Sequence, residues 1–283
     1  MRTEALIDGF ALAYDRSGTG PPVVLLHGWP GDRTDFNDVV KAMGADGSDL
    51  IRPDLRGFGE SHKLTGGDYS ADGQVRSVLG LLDELEIEHA VLCGYDVGSR
   101  VAQLLATRHP ERVSAMVLAP PLPGIGRRVL EPDAVQEFWY QSFHRLGLAD
   151  ELVDGRLEAV RANLRHFWNH WSGPGFEVSA DRLDHLAVRY SAPGAFTASI
   201  GWYRAGAATV VRSLAETAPE RRIVAPTAVL WPEHDPLFPR AWADRAGEWF
   251  ADAEVSDLPG VGHFVPVEAP EAFAGAIRRA LAR

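Results

Sequence analysis

The chain predicts an α/β fold: a mostly parallel central sheet with helices on both faces, interrupted once by an inserted, all-helical stretch. Three observations carry this. Apolar runs of strand length recur between segments of helical pattern. One of them, residues 90–93, ends in the turn Gly94-Tyr95-Asp96-Val97-Gly98 and is followed over 101–108 by a helical composition. From about Pro121 to Pro219 the strand pattern stops altogether. The expected division is therefore a core over 1–120, a helical cap over 121–218, and the rest of the core over 219–283.

Residues 4–7 and 10–14, separated by Asp8-Gly9, read as a hairpin with a type I′ turn. Residues 22–26 form a short strand ending in His27-Gly28-Trp29-Pro30-Gly31, where glycine and proline exclude regular structure and a cis Trp29-Pro30 bond fits the tight turn. Residues 49–53 give the next strand, followed by the glycine-punctuated loop Asp54-Leu55-Arg56-Gly57-Phe58-Gly59-Glu60-Ser61. An amphipathic helix is expected over 70–85, then the strand, turn and helix around Asp96, then a buried strand over 113–118. After the helical stretch the alternation resumes with a strand at 227–231, a helix at 240–250, a strand at 253–258 and a last helix at 270–282. Internal repeats and low-complexity segments are absent.

With 283 residues, 46% of them apolar, the chain can build one large core. A formal charge of −11 and the lack of a Lys/Arg cluster argue against nucleic-acid partners. Cys93 is the only cysteine and lies inside an apolar run, so an internal disulfide is impossible and a buried thiol is expected. Residues 1–10 lack the basic and apolar regions of a signal peptide, and no window approaches the ~18 apolar residues of a membrane span. A cytoplasmic protein with no membrane association is the expectation.

Asp96 is the chemical focus. The flanking glycines let strand and helix pack closely enough to hold the residue between them strained and exposed above the sheet, the nucleophile elbow usually written with serine. A carboxylate there favours a different electrophile. It attacks an sp3 carbon bearing a leaving group and leaves an alkyl ester on the protein. Two further groups fall at the ends of the last two predicted strands, where catalytic groups of open parallel sheets collect: Asp235 within Glu233-His234-Asp235-Pro236, and His263 within Gly260-Val261-Gly262-His263-Phe264. Asp235 is preferred to the nearby Glu233.

In the order nucleophile, acid, histidine, the sequence resembles an α/β-hydrolase over essentially its whole length. His27-Gly28-Trp29-Pro30, the loop 54–61, and Gly262-His263-Phe264 with Glu268 downstream add independent support. Aspartate at the elbow narrows the resemblance to the epoxide hydrolase and dehalogenase branch, where it implies a covalent ester. Haloalkane dehalogenases usually place a halide-binding Trp after the nucleophile, and fluoroacetate dehalogenases an Arg; here the residue is Val97, although Arg100 is kept. The fluoroacetate branch also pairs His-Trp in the cap, where this chain has Tyr140-Gln141, and carries its acid near Ala119-Pro120-Pro121, which has none. Epoxide hydrolases instead use two cap tyrosines in contexts like Trp139-Tyr140-Gln141 and Trp202-Tyr203-Arg204.

The resemblance thus implies a cofactor-independent epoxide hydrolase, with epoxide and water as its partners. Asp96 is the expected nucleophile, Tyr140 and Tyr203 the proton donors to the opened oxygen, His263 the base and Asp235 its orienting acid. Backbone N–H groups of Trp29 and Val97 are the expected oxyanion hole, and Trp29, Tyr95, Trp139, Gln141, Trp202 and Phe264 the expected substrate contacts. Tyr95 and Val97 depart from the common His and aromatic at those positions, which reshapes the pocket wall. Arg100 reads either as a structural ion pair, the preferred reading, or as a pocket cation. His166 and His170 have metal-ligand spacing but no third ligand, so no metal is expected. A dehalogenase with the same nucleophile and a non-catalytic binding protein are the alternatives, and a homodimer is left open. A carboxylester hydrolase conflicts with Asp at the elbow.

Overall fold

Asp8 (φ 51°) and Gly9 (φ 80°) both take the positive φ that a type I′ turn demands, and they join β1 (Arg2–Ile7) to β2 (Phe10–Ser17) with Ile7 opposite Phe10. The structure, a computed structural model, describes residues 2–44 and 47–283. The remaining strands are β3 (Pro22–Leu26), β4 (Asp49–Pro53), β5 (Ala90–Gly94), β6 (Val113–Leu118), β7 (Thr227–Pro232) and β8 (Ala253–Leu258). Their order in the sheet is β1-β2-β4-β3-β5-β6-β7-β8. β2 runs antiparallel to β1 and β4, and all other neighbours are parallel. Every residue of β5 is buried, as expected of an inner strand covered on both faces.

Helices flank this sheet. α1 (Asn37–Met43), absent from the sequence reading, buries only Val39 and Met43, too short a stripe to show a helical period. α2 (Ala71–Glu84) is capped by the Ser70 hydroxyl, which accepts from Gly73 N, and buries Val75, Val78, Leu81 and Leu82 on one face. α3 (Val97–Arg108) starts immediately after Asp96. The expected helix at 240–250 is instead a run of 3₁₀ turns over Arg240–Glu248, started by Pro239, whose carbonyl accepts from Trp242 N at 2.8 Å.

Between β6 and β7 the described chain holds only helical elements. They are α4 (Pro132–Glu137), α5 (Trp139–Arg145), α6 (Gly147–Val153), α7 (Leu157–Trp171), α8 (Ala180–Tyr190), α9 (Ala195–Ser199) and α10 (Thr209–Ala215), with a 3₁₀ segment over Gly126–Leu130 and a π-helical one over Tyr203–Ala207. α11 (Val265–Glu268) and α12 (Pro270–Leu281) close the chain. The inserted helices grip the loop after β3. The Trp168 indole donates to Pro30 O (3.0 Å), the Tyr190 hydroxyl to Gly31 O (2.8 Å), and Arg182 to the buried Asp35 (2.7 Å). One continuous apolar core runs from the sheet into the insertion, with Trp168, Trp171 and Phe167 among its wholly buried aromatics. At about 150–250 Å² each, such rings dominate the burial that seats these helices.

Candidate active site

The elbow puts Asp96 at φ 49°, ψ −118°, between the last residue of β5 and the first of α3. A positive φ on a non-glycine residue costs about 1–3 kcal/mol and persists only where its surroundings impose it. Two glycines do so here. A Cβ on Gly94 would lie 2.6 Å from the backbone of Gly98, and one on Gly98 only 1.9 Å from Leu26 O. A third, Gly28, lets the loop after β3 pass over the nucleophile, since a Cβ there would meet Asp96 Cβ at 2.5 Å. That approach brings Trp29 N–H to Asp96 Oδ1 at 2.8 Å. The Val97 N–H, unused within its own helix because it opens the first turn, adds to the stabilisation of the charged carboxylate. Burial raises the Asp96 pKa, while His263 and the two N–H groups oppose that shift.

His263 comes from the loop after β8 and Asp235 from the loop after β7. Asp235 Oδ2 stands 2.9 Å from His263 Nδ1, and its Oδ1 accepts from Leu237 N at 2.9 Å. A carboxylate can only accept, so Nδ1 carries the proton and Nε2 presents its lone pair. That lone pair faces Asp96 Oδ2 at 3.8 Å. Burial pulls the His263 pKa down, but the charge and hydrogen bond of Asp235 outweigh it and leave the value raised. Glu233, the competing acid, turns outward and accepts from Gly260 N. Glu268 braces the histidine loop by accepting from Gly173, Gly262 and Phe264 N–H groups at 2.8, 2.8 and 3.0 Å.

His27 fixes the other loop: its Nδ1 lies 2.9 Å from Gly28 O and its Nε2 accepts from Leu55 N at 3.0 Å. The Trp29-Pro30 bond is cis, as expected from the sequence. Above Trp29 stands an aromatic wall from the insertion. The Tyr140 ring stacks on Trp29 with 5.8 Å between centroids, Tyr203 meets Trp29 edge-on at 6.0 Å, and the two phenol rings meet each other edge-on at 5.7 Å. Gln141 donates to the Tyr140 hydroxyl at 3.2 Å and accepts from Val210 N, so it positions that phenol. Burial raises both phenol pKa values, with added upward pressure on Tyr140 from Asp96 and on Tyr203 from Tyr140 and then Asp96. Both phenols are therefore protonated, with an O–H to donate.

Several expected contacts fall elsewhere. Trp139 is 47% exposed and packs outward on Phe167, because its neighbour Tyr140 takes the inward face of α5. Trp202 lines a separate cavity of about 480 Å³ with Arg100, Gln103, Arg212, Glu216 and Trp249. Arg100 pairs with Glu216 at 2.9 Å, the ion-pair reading, while also walling that cavity. Tyr95 gives its hydroxyl to Asp35 Oδ2 at 2.6 Å and supports the loop from behind. Phe264 stacks on Trp168 with 3.7 Å between centroids and meets the His263 ring edge-on at 5.3 Å. His170 lies 2.7 Å from Glu137, and the described residues contain no group of three or more metal-ligand side chains. Cys93 is buried. No helix of the described residues is long and apolar enough to cross a membrane.

Two residues escaped the sequence reading. Asp35, whose pKa is raised to about 6 chiefly by burial, ties Tyr95 to Arg182. His144 sits in the aromatic wall; its signal was the four-residue spacing from Tyr140, which puts both on one helix face.

The family model for the alpha/beta hydrolase fold matches residues 21–270. The soluble epoxide hydrolase of Corynebacterium sp. (strain C12) is 27% identical over 277 residues, covering 95% of this chain and 92% of that one. The 2-hydroxymuconate semialdehyde hydrolase of Pseudomonas sp. (strain CF600) is 30% identical over 292 aligned positions, covering 97% and 91%. The solved structure of the epoxide hydrolase CorEH without ligand superposes with a TM-score of 0.87 at 23% identity, over 100% of this chain and 98% of that one, which shows a common fold. On the family match and the relative 30% identical over 97% of this chain, the chain belongs to the α/β-hydrolase fold family and is a hydrolase of that family.

Proposed function

We propose that this hydrolase opens epoxides to vicinal diols through a covalent ester on Asp96, with residues 121–218 as the cap that supplies the proton donors. Asp96 Oδ2 attacks an oxirane carbon, forming the ester C–O bond as the ring C–O bond breaks. Tyr140 and Tyr203 hydrogen-bond the leaving oxygen, and one of them transfers its proton to it. His263 Nε2 then takes a proton from water as that water attacks Asp96 Cγ. The oxyanion develops on Oδ1, against the Trp29 and Val97 N–H groups. Collapse breaks the Cγ–Oδ2 bond, and the hydroxyl newly added to Cγ gives its proton to the departing alkoxide. The diol leaves, the carboxylate is regenerated, and the proton held by His263 restores the phenol. One oxyanion donor is worth about 3–4 kcal/mol and general-base help about 10²- to 10⁴-fold.

The observation that carries this reading is the pair of buried phenols, Tyr140 and Tyr203, packed on each other and on Trp29, the residue whose N–H holds the Asp96 carboxylate. A departing halide needs no proton, whereas an opening epoxide does. Val97 also offers no indole or guanidinium to a halide. The testing experiment is mass spectrometry of the His263→Gln protein after brief exposure to styrene oxide or, separately, to fluoroacetate or a haloalkane. An adduct of intact epoxide mass on Asp96 is the expected result. An adduct from the halogenated compound alone would make the protein a dehalogenase, and no adduct from any of them would favour a binding protein.

A further inference from the structure

One buried polar group beside the phenols takes no part in this chemistry. The His144 ring lies 4.6 Å from that of Trp29, 4.9 Å from that of Tyr203 and 5.5 Å from that of Tyr140. Neither of its nitrogens has a hydrogen-bond partner among the described residues, and neither has the indole Nε1 of Trp29. Burial, with the nearby Arg204 guanidinium adding to it, pushes the imidazole pKa down to about 3. The ring is therefore neutral, with one N–H donor and one lone pair.

Leaving those groups unpaired is costly, and a phenylalanine of similar shape would avoid the cost. Edge-to-face packing on Trp29, at 72°, accounts for the ring's fit but not for both its nitrogens. Arg204 donates to the backbone carbonyl of His144 and pairs with Asp150, so it leaves the imidazole unengaged.

We propose that His144, together with the Trp29 indole N–H, recognises a hydroxyl group carried by the substrate near its oxirane, so that the preferred substrates are epoxy alcohols. A hydroxyl gives and accepts, so it can donate to the lone pair of the neutral imidazole while accepting from the unpaired Trp29 indole N–H. A carbonyl only accepts, and a carboxylate would meet no charge on the ring. The assignment rests on the epoxide-hydrolase reading and adds the substrate class to it.

The test is a matched pair, 3-phenylglycidol and β-methylstyrene oxide, which differ by one hydroxyl. In the unaltered protein kcat/KM should favour 3-phenylglycidol by about tenfold or more, the scale of one or two neutral hydrogen bonds. His144→Phe should cut kcat/KM for 3-phenylglycidol by about tenfold and leave β-methylstyrene oxide within about twofold. His144→Gln, which keeps a donor and an acceptor, should recover part of the loss. Equal kcat/KM for the two epoxides in the unaltered protein would overturn the assignment whether or not the variants fold. So would an equal fall for both in His144→Phe, the result of a purely packing role. Failure of both epoxides to be hydrolysed or to label Asp96 in the His263→Gln protein would instead remove the epoxide reading, and the assignment with it.

Discussion

His263 Nε2 and Asp96 Oδ2 stand 3.8 Å apart, each held from its far side: the imidazole by Asp235 at 2.9 Å, the carboxylate by Trp29 N at 2.8 Å. At that separation no direct hydrogen bond ties base to nucleophile. The carboxylate oxygen remains available for alkylation, and the imidazole for the proton of an incoming water. The two roles are separable in time, and mutation should separate them.

In the His263→Gln protein the first half-reaction should survive and the second should stall. Steady-state turnover should drop by about 10²- to 10⁴-fold, while approximately one equivalent of epoxide is consumed in a burst. Rapid-quench counting of diol against bound ester checks this. Loss of the burst along with turnover would mean that His263 is needed for alkylation too.

The pH profile carries a sign. His263 is held above the ordinary histidine value, and a base works only when unprotonated, so turnover should rise through a midpoint above about 6.5. Asp235→Asn removes the raising charge but leaves the burial, so the midpoint should move to lower pH. The maximal rate should fall by about 10⁴-fold as the ring loses its enforced tautomer. The same pair stabilises the fold fully below about pH 6.5, and its contribution is lost as pH rises through the folded value. Rate profiles and urea midpoints of both proteins against pH decide the matter.

Tyr140→Phe and Tyr203→Phe should each slow ester formation by about 10- to 100-fold, the effect of losing one donor of a shared pair, and the double variant should be close to inert. Built into the His263→Gln protein, either change should slow the appearance of the Asp96 adduct. An unaltered adduct rate would assign the tyrosines to packing.

Backbone contact makes the elbow intolerant. Gly98→Ala would drive a Cβ to 1.9 Å from Leu26 O, a clash that only main-chain movement relieves, so a loss of about 3 kcal/mol or more is expected together with activity. Gly147→Ala at the start of α6 meets no atom within 4 Å and serves as the control, with stability unchanged or slightly higher. Thermal melts of the two variants provide the comparison.

Much of the fold was legible because strands and their turns are written locally. β3, β4, β6 and β8 have the bounds read from their apolar runs, and the hairpin turned at Asp8-Gly9 as glycine chemistry requires. α1 and the 3₁₀ run over Arg240–Glu248 were not legible. The first is too short for a period, and the second differs from an α-helix only in which carbonyl each N–H selects.

The site divides along the same line. The sequence by itself determined the elbow with its paired glycines, the strand-end positions of Asp235 and His263, and the two tyrosine contexts, since each depends on neighbours a few residues away. Tertiary structure alone decided which partners meet. Trp29 reaches Asp96 across 67 positions, Tyr95 is drawn to Asp35 across 60, and Trp168 seats on Pro30 across 138. Adjacent residues on one helix point about 100° apart, so whether Trp139 or Tyr140 faced inward, and whether His144 joined it, depended on where the packed sheet and loop left space. That direction is a property of distant segments in contact, which no local pattern encodes.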